Sequence, residues 1–144
     1  MGDGMIVIDG TNAVLGRLGS RVAKELLKGE TVMIINADKM IISGNPKNII
    51  DKYLIRRQIK TKQRPELKPR YPRSPDRFVK RLIRGMLPYR SARGRAAYKR
   101  LKVYMEPPEE IKDVQPIKIP EAENKGIRKY ITVLELCRRL GYNG

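Results

Sequence analysis

The sequence predicts an α/β fold in which helices pack on a parallel sheet, and three observations carry that prediction. Two short β-branched apolar runs, MIVI at 5–8 and TVMII at 31–35, are bounded by turn residues and suit a buried pleated interior. Between them, Leu15, Leu18, Gly19, Val22, Ala23, Leu26 and Leu27 fall on one side of a helical wheel, and Arg17, Arg21, Lys24 and Lys28 on the other. Strand, helix and strand within about 30 residues is the length of a βαβ unit, whose crossover is right-handed and whose strands are parallel.

Taken in order, Gly10 and Gly16 are expected to shape the turn from the first strand into the helix. Gly19 is expected to let that helix approach the sheet closely, and Gly29 to cap its end. MIIS at 40–43 either extends the second strand or turns back from it. Asn45 as N-cap and Pro46 at the first helical position open another helix, with Ile49, Ile50, Tyr53 and Leu54 on its apolar face. Residues 60–75, KTKQRPELKPRYPRSP, hold four prolines and no apolar period, which excludes a helix interior or central strand and predicts an extended basic loop.

Ser74 and Pro75 restart a helix in which Phe78, Val79, Leu82, Ile83 and Met86 face inward, while Arg77, Lys80, Arg81 and Arg84 face away, until Pro88 stops it. Ser91 caps a short helix to about Arg100, and LKVYM at 101–105 is the next strand, ended by Pro107 and Pro108. Residues 106–127 show little period and carry Glu106, Glu109, Glu110, Asp113, Glu121 and Glu123, so they read as a long surface connection. Near the end, Thr132 and Glu135 have capping-box spacing, and the helix they start presents Val133, Leu136, Cys137 and Leu140 to the core before Gly141 terminates it. One domain of 144 residues is expected throughout.

Composition narrows the chemistry. A single cysteine permits no internal disulfide, and the absence of histidine removes the usual zinc ligand and the usual general base, so neither metal nor cofactor is expected. The amino-terminal residues are not a basic region followed by an apolar block, and every apolar run falls far short of the roughly 20 residues that span a bilayer. A soluble, cytoplasmic protein of a reducing compartment is the expectation.

Charge is the strongest functional signal. Lys and Arg number 32 against 15 Asp and Glu, for a formal charge of +17. The 47 residues 56–102 hold 18 of those bases and two acids, while the other 97 residues are nearly neutral, with 14 bases and 13 acids. Solvated faces usually interleave both signs, whereas a block of one sign repels itself and persists where an anionic partner exists. A membrane is disfavoured because the apolar faces opposite the charge are needed for the core.

RNA suits the pattern, since Lys and Arg release counterions from phosphates and Arg adds bidentate pairing and stacking on bases. The candidate RNA contacts are Arg17, Arg21 and Lys24 on the first helix, then Arg56, Arg57, Lys60, Lys62, Arg64, Lys68, Arg70 and Arg73. Arg77, Lys80, Arg81, Arg84, Arg90, Arg93, Arg95, Lys99, Arg100 and Lys102 complete the set. Tyr71, Tyr89, Tyr98 and Tyr104 are interleaved with these charges, with burial expected for Tyr98 and Tyr104. No helix-turn-helix spacing, zinc finger or aromatic RNA-binding sheet motif is present, so recognition of the backbone and shape of folded RNA is favoured over base readout of DNA.

The run LIRGMLPYRSARGRAAYKRLKVYMEPP (82–108) resembles the signature of a universal large-subunit ribosomal protein family, the thirteenth in the large-subunit numbering. The matching elements are Gly85-Met86-Leu87-Pro88, Gly94 and Arg100-Leu101-Lys102-Val103-Tyr104. The opening VIDGTNAVLGRLGSRVAKELLKGETVMIINADKMIISGN is similar to the same family's N-terminal half, and YITVLELCRRLGY to its archaeal C-terminal end. The chain lacks the bacterial branch's histidine-containing segment and has a shorter middle loop, which puts it with archaeal and eukaryotic members.

The resemblance implies a central, mainly parallel four-stranded sheet flanked by helices in three layers. It also implies a structural role on large-subunit ribosomal RNA, early in subunit assembly, beside neighbouring ribosomal proteins. An RNA-binding regulator or chaperone acting off the ribosome is the alternative. A nucleotide-binding enzyme on the first βαβ unit is the remote one. A P-loop needs Gly, four residues, then Gly-Lys-Ser/Thr, but here Gly10 is followed by five residues and Gly16-Arg17-Leu18. Gly16, Gly19 and Asp38 match part of a dinucleotide fingerprint, with Val14 in place of its first glycine.

Overall fold

A computed structural model describes residues 5–58, 74–111 and 114–143, without the side chains of residues 56–58. The expected basic loop at 60–75 therefore lies almost wholly outside the described residues. The first βαβ unit forms as expected. β1 (Met5–Asp9) and β2 (Thr31–Ile35) pair in parallel with Met5 opposite Thr31 and Asp9 opposite Ile35, and α1 (Leu15–Leu27) connects them. Leu15, Leu18, Gly19, Val22, Ala23 and Leu26 are buried, and Gly29, at φ 102°, ends the helix in the left-handed region that favours glycine.

β3 (Ile41–Ser43) turns away from β2 and pairs antiparallel with β5 (Tyr130–Thr132), forming a separate two-stranded ribbon. α2 (Pro46–Gln58) begins at Asn45, whose Oδ1 accepts from the amides of Lys47 at 3.0 Å and Asn48 at 3.4 Å. Its Ile49, Ile50, Tyr53 and Leu54 pack half-buried on the core, with Tyr53 edge-on to Phe78 at 5.3 Å between ring centroids. α3 (Pro75–Arg84) and α4 (Ala92–Lys99) lead into β4 (Leu101–Val103), which pairs in parallel with the far edge of β2. α5 (Val133–Arg139) closes the chain; Thr132 Oγ1 accepts from the Glu135 amide at 3.1 Å, whereas the Glu135 carboxylate turns outward to Arg139. Only one arm of the expected capping box is formed.

The main sheet has three strands, in the order β1-β2-β4, rather than the four implied by the resemblance. The fourth position is reduced to a single parallel bridge: Ile117 lies beside Ile8, accepting from the Asp9 amide and donating to the Val7 carbonyl, both at 2.9 Å. Topology accounts for the layers. Right-handed crossovers that extend a parallel sheet in one direction collect on one face, and a return in the opposite direction crosses the other. Accordingly Ile8, Val32, Ile34, Leu101 and Val103 share a core with residues from α1, α3, α4 and α5. The alternate residues Val7, Met33 and Ile35 are covered by Ile111, from the short turn Glu109–Ile111. The second covering layer is thus supplied by the long connection expected at 106–127, rich in proline and charge, and not by a helix as the three layers implied by the resemblance would have it.

Several side chains depart from expectation. Met86 was expected to face inward but is 39% exposed, and Tyr104, expected to be buried, is 36% exposed because it alternates with buried Leu101 and Val103 onto the opposite face, beside Lys102. Gly19 does not open the way to the sheet. A methyl there would meet Met86 Sδ at 2.9 Å and Ile83 at 3.4 Å, so its lack of a side chain admits α3 and the turn after it. Gly16 stands in the first turn of α1 with nothing near it; the left-handed residue of the strand-to-helix turn is Asn12, at φ 61°.

Candidate nucleic-acid interface

The basic residues of α1 divide into two groups. Arg17 and Lys24 are exposed without an ion-pair partner among the described residues. Arg21 reaches Glu25 at 3.4 Å and Glu121 at 3.5 Å, and Lys28 reaches Glu25 at 3.6 Å. Such surface pairs contribute little to stability. Their effect is to place Glu121 of the 106–127 segment, together with the helix's own Glu25, over part of the α1 stripe, so the free positive charge on this helix is less than its row of bases suggests.

α3, α4 and the turn between them carry a denser and less compensated surface. Burial of Phe78, Val79 and Ile83 forces Arg77 and Arg81 outward, where both are exposed. Lys80 and Arg84 lie flatter. The Lys80 ammonium sits 5.1 Å from the Tyr98 ring centroid, and the Arg84 guanidinium 4.0 Å from that of Tyr89. The two tyrosine rings meet edge to face at 5.4 Å and 89°. Burial pushes the Tyr98 hydroxyl above its ordinary pKa of 10.0, against the opposing pull of Arg84 and Arg81, so it stays neutral.

Arg81, Arg84, Tyr89 and Arg90 line an open groove of about 630 Å³ with Gly85, Leu87, Pro88 and Ser91. The groove is built on a braced turn. Ser91 Oγ donates to the Pro88 carbonyl at 2.7 Å and accepts from the Gly94 amide at 3.0 Å, capping α4, while Arg95 Nη1 donates to the Arg90 carbonyl at 2.8 Å. At Gly94 any side chain would run into the Pro88 carbonyl, which explains a glycine in the first turn of α4.

The remaining sequence-nominated residues scatter. Arg100 is half-buried and donates to the Leu26 carbonyl at the end of α1 at 2.6 Å, while Arg93 stays exposed and donates to the neighbouring Leu27 carbonyl at 3.2 Å. Lys99 is exposed on α4, and exposed Lys102 borders a smaller recess of about 270 Å³ with Asp76, Arg77 and Lys80. Arg56 and Arg57 lie in α2 with side chains that are not described; Lys60, Lys62, Arg64, Lys68, Arg70, Tyr71 and Arg73 are outside the described residues. Lys125, Arg128 and Lys129 are exposed beside Tyr130, which is itself 39% exposed. The near-neutral balance outside 56–102 hid this second basic stretch, although the clustering of its bases within five residues marks it.

In an open α/β sheet, nucleotides bind beyond the carboxyl ends of the strands. Here that space is filled by the chain itself. Val14 N donates to the Ala122 carbonyl at 2.7 Å, Asn124 N to Asn12 at 3.2 Å, and Lys118 Nζ to the Thr11 carbonyl and Glu123 Oε1, both at 3.2 Å. Asp9 Oδ1 accepts from Thr11 N at 3.0 Å, Thr11 Oγ1 at 2.8 Å and Asn36 Nδ2 at 3.0 Å. Partial burial opposes ionisation of Asp9, but these hydrogen bonds outweigh it and hold the carboxyl below its ordinary 3.8. Gly10 packs on Met40, and Gly19 is sealed beneath Met86, so neither glycine can face a phosphate. Among the described residues no group of three His, Cys, Asp or Glu could hold a metal ion, and no helix is long and apolar enough to cross a membrane.

Comparison with known proteins agrees with this geometry. The family model described as Ribosomal protein L13 matches residues 3–110. Among curated relatives, the large ribosomal subunit protein uL13 of Archaeoglobus fulgidus is 42% identical over 150 residues, covering 100% of this chain and 92% of its own. That of Methanosphaera stadtmanae is 46% identical over 136 residues (94% and 96%), and that of Methanocaldococcus jannaschii 42% over 138 residues (95% and 98%). These relatives are archaeal, as the missing bacterial segment and short middle loop led us to expect. With three quarters of its length inside the family model and such relatives end to end, the chain belongs to the ribosomal protein L13 family.

Proposed function

We propose that this protein is a structural component of the large ribosomal subunit that binds large-subunit ribosomal RNA and does no chemistry of its own. One observation carries the reading: nearly all of the net +17 falls in residues 56–102, where the apolar residues of α3 are spent on the core and the bases are left on the surface. The relatives' names, which assign them to the large subunit, support it. So does the crevice beyond β1, filled by residues 117–124 where an enzyme would need space.

The contact set narrows with the geometry. Arg77, Lys80, Arg81, Arg84, Arg90, Arg95 and Lys99 form the principal RNA face, joined by Lys102 at its edge and by Arg17 and Lys24 on α1. Arg93 and Arg100 instead tie α4 to the end of α1. Arg21 contributes less because carboxylates already surround it. Arg56, Arg57, Lys60, Lys62, Arg64, Lys68, Arg70 and Arg73 extend the interface by charge. Neighbouring ribosomal proteins are the other partners. Sedimentation of a lysate through a gradient containing about 0.5 M salt tests the reading: the protein should travel one-to-one with the large subunit, and a free or substoichiometric protein would overturn it.

A further inference from the structure

The groove between α3 and α4 has features that phosphate binding alone does not require. A point charge suffices for phosphate, yet the Arg84 guanidinium lies over the Tyr89 ring, 4.0 Å from its centroid, and Tyr89 meets Tyr98 edge to face. The turn beneath them is locked by Ser91 and by the contact of Gly94 with Pro88. The guanidinium is therefore backed on one side by an aromatic ring, while the residue lines an open groove of about 630 Å³, within the ~300–1,000 Å³ of pockets that hold small ligands. Among the described residues no carboxylate pairs with Arg81, Arg84 or Arg90, so the groove keeps its charge. A planar cation on an aromatic ring is a platform on which an unpaired base can stack, and bases flipped out of RNA stack on such planes.

We propose that this groove receives one unpaired nucleobase extruded from the RNA, stacked on the outer face of Arg84, with Arg81 and Arg90 holding the flanking phosphates. The proposal rests on the RNA-binding reading above and adds to it a local structure that the RNA must present. A paired stem has no base to offer and engages the surface through phosphates only. Because every base has a π-face, the site tolerates sequence and discriminates by pairing state.

The test uses the full chain and two RNA hairpins of identical stem, one fully paired and one with a single bulged 2-aminopurine, compared at about 0.1 M salt. The bulged hairpin should bind at least about fivefold tighter, the lower end of what one base stack contributes, and its fluorescence should be quenched on binding. Arg84→Lys keeps the charge and removes the plane. It should abolish both the preference and the quenching, so that the two hairpins bind alike. Tyr89→Phe should retain the preference, and Tyr89→Leu should lose it. Equal, salt-sensitive binding of both hairpins would overturn the stacking site and leave the RNA reading standing, as would a preference that survives Arg84→Lys. No binding of either hairpin at low salt would overturn both.

Discussion

At Gly94 a methyl group would be driven into the Pro88 carbonyl, a backbone atom fixed by two hydrogen bonds from Ser91. Neither helix can retreat without opening the core around Ile83 and Ala97, so Gly94→Ala should cost about 3 kcal/mol or more, read as a lowered denaturation midpoint with unchanged m-value. Gly16→Ala should move the other way, gaining about 0.5–1 kcal/mol, because that position is helical and empty of neighbours. A shift of stability in the same direction at both positions would mean that packing against Pro88 does not distinguish Gly94 from Gly16. Asp9 makes a different kind of residue-scale prediction. Asp9→Ala removes three hydrogen bonds at the end of β1, two from Thr11 and one from Asn36, and should cost about 2 kcal/mol. Since the folded carboxyl titrates below its ordinary 3.8, the stability it adds is full above that value and lost as pH falls through the lower folded one. The stability difference between the wild type and Asp9→Asn should therefore shrink below about pH 4; a difference independent of pH from 2 to 6 would remove the carboxylate from the account.

Elements are joined here by arginines that resemble RNA ligands when read from the sequence. Arg100 donates at 2.6 Å to the Leu26 carbonyl at the open end of α1, and Arg93 donates to Leu27 beside it. Replacing Arg100 by Met should cost about 1.5–3 kcal/mol, as expected for a charged hydrogen bond, and should speed amide exchange in the last turn of α1. Arg100→Lys should recover only part, because a compact ammonium cannot reproduce the guanidinium fork. Lys99→Met, one residue earlier and exposed, should leave stability within about 0.5 kcal/mol, so an equal loss at both positions would contradict the assignment. The same pair shows where sequence reading succeeds. Periodicity finds the buried faces of α1 and α3, and cap chemistry finds the starts of α2, α4 and α5, because those signals are local and repeat within one element. The destination of Arg100 is set by a partner 74 residues away. Likewise the reduction of the fourth strand to Ile117, and the sealing of Gly19 by Met86, depend on how distant segments meet.

For the molecule as a whole, a charge of +17 on 144 residues makes salt act in opposite senses on folding and on binding. In the free protein, like charges on α3, α4 and α1 repel across distances comparable to the Debye length, which shortens from about 30 Å at 0.01 M to about 10 Å at 0.1 M. Raising salt over that range should therefore raise the unfolding midpoint. In the complex, each neutralised phosphate releases a counterion that added salt opposes, so log affinity should fall with log salt by about 0.7–0.9 per contact. The double substitution Arg77→Glu and Arg81→Glu separates the two effects, since both side chains are exposed and neither supports the core. It lowers the net charge by four, so the free protein should become more stable at low salt than the wild type. At the same time, RNA affinity should drop, and the slope of its salt dependence should shrink by about two contacts' worth. Only a surface whose charge serves a partner rather than the fold gives this crossed result. A variant that loses stability and binding together would mean that the α3 stripe belongs to the structure after all.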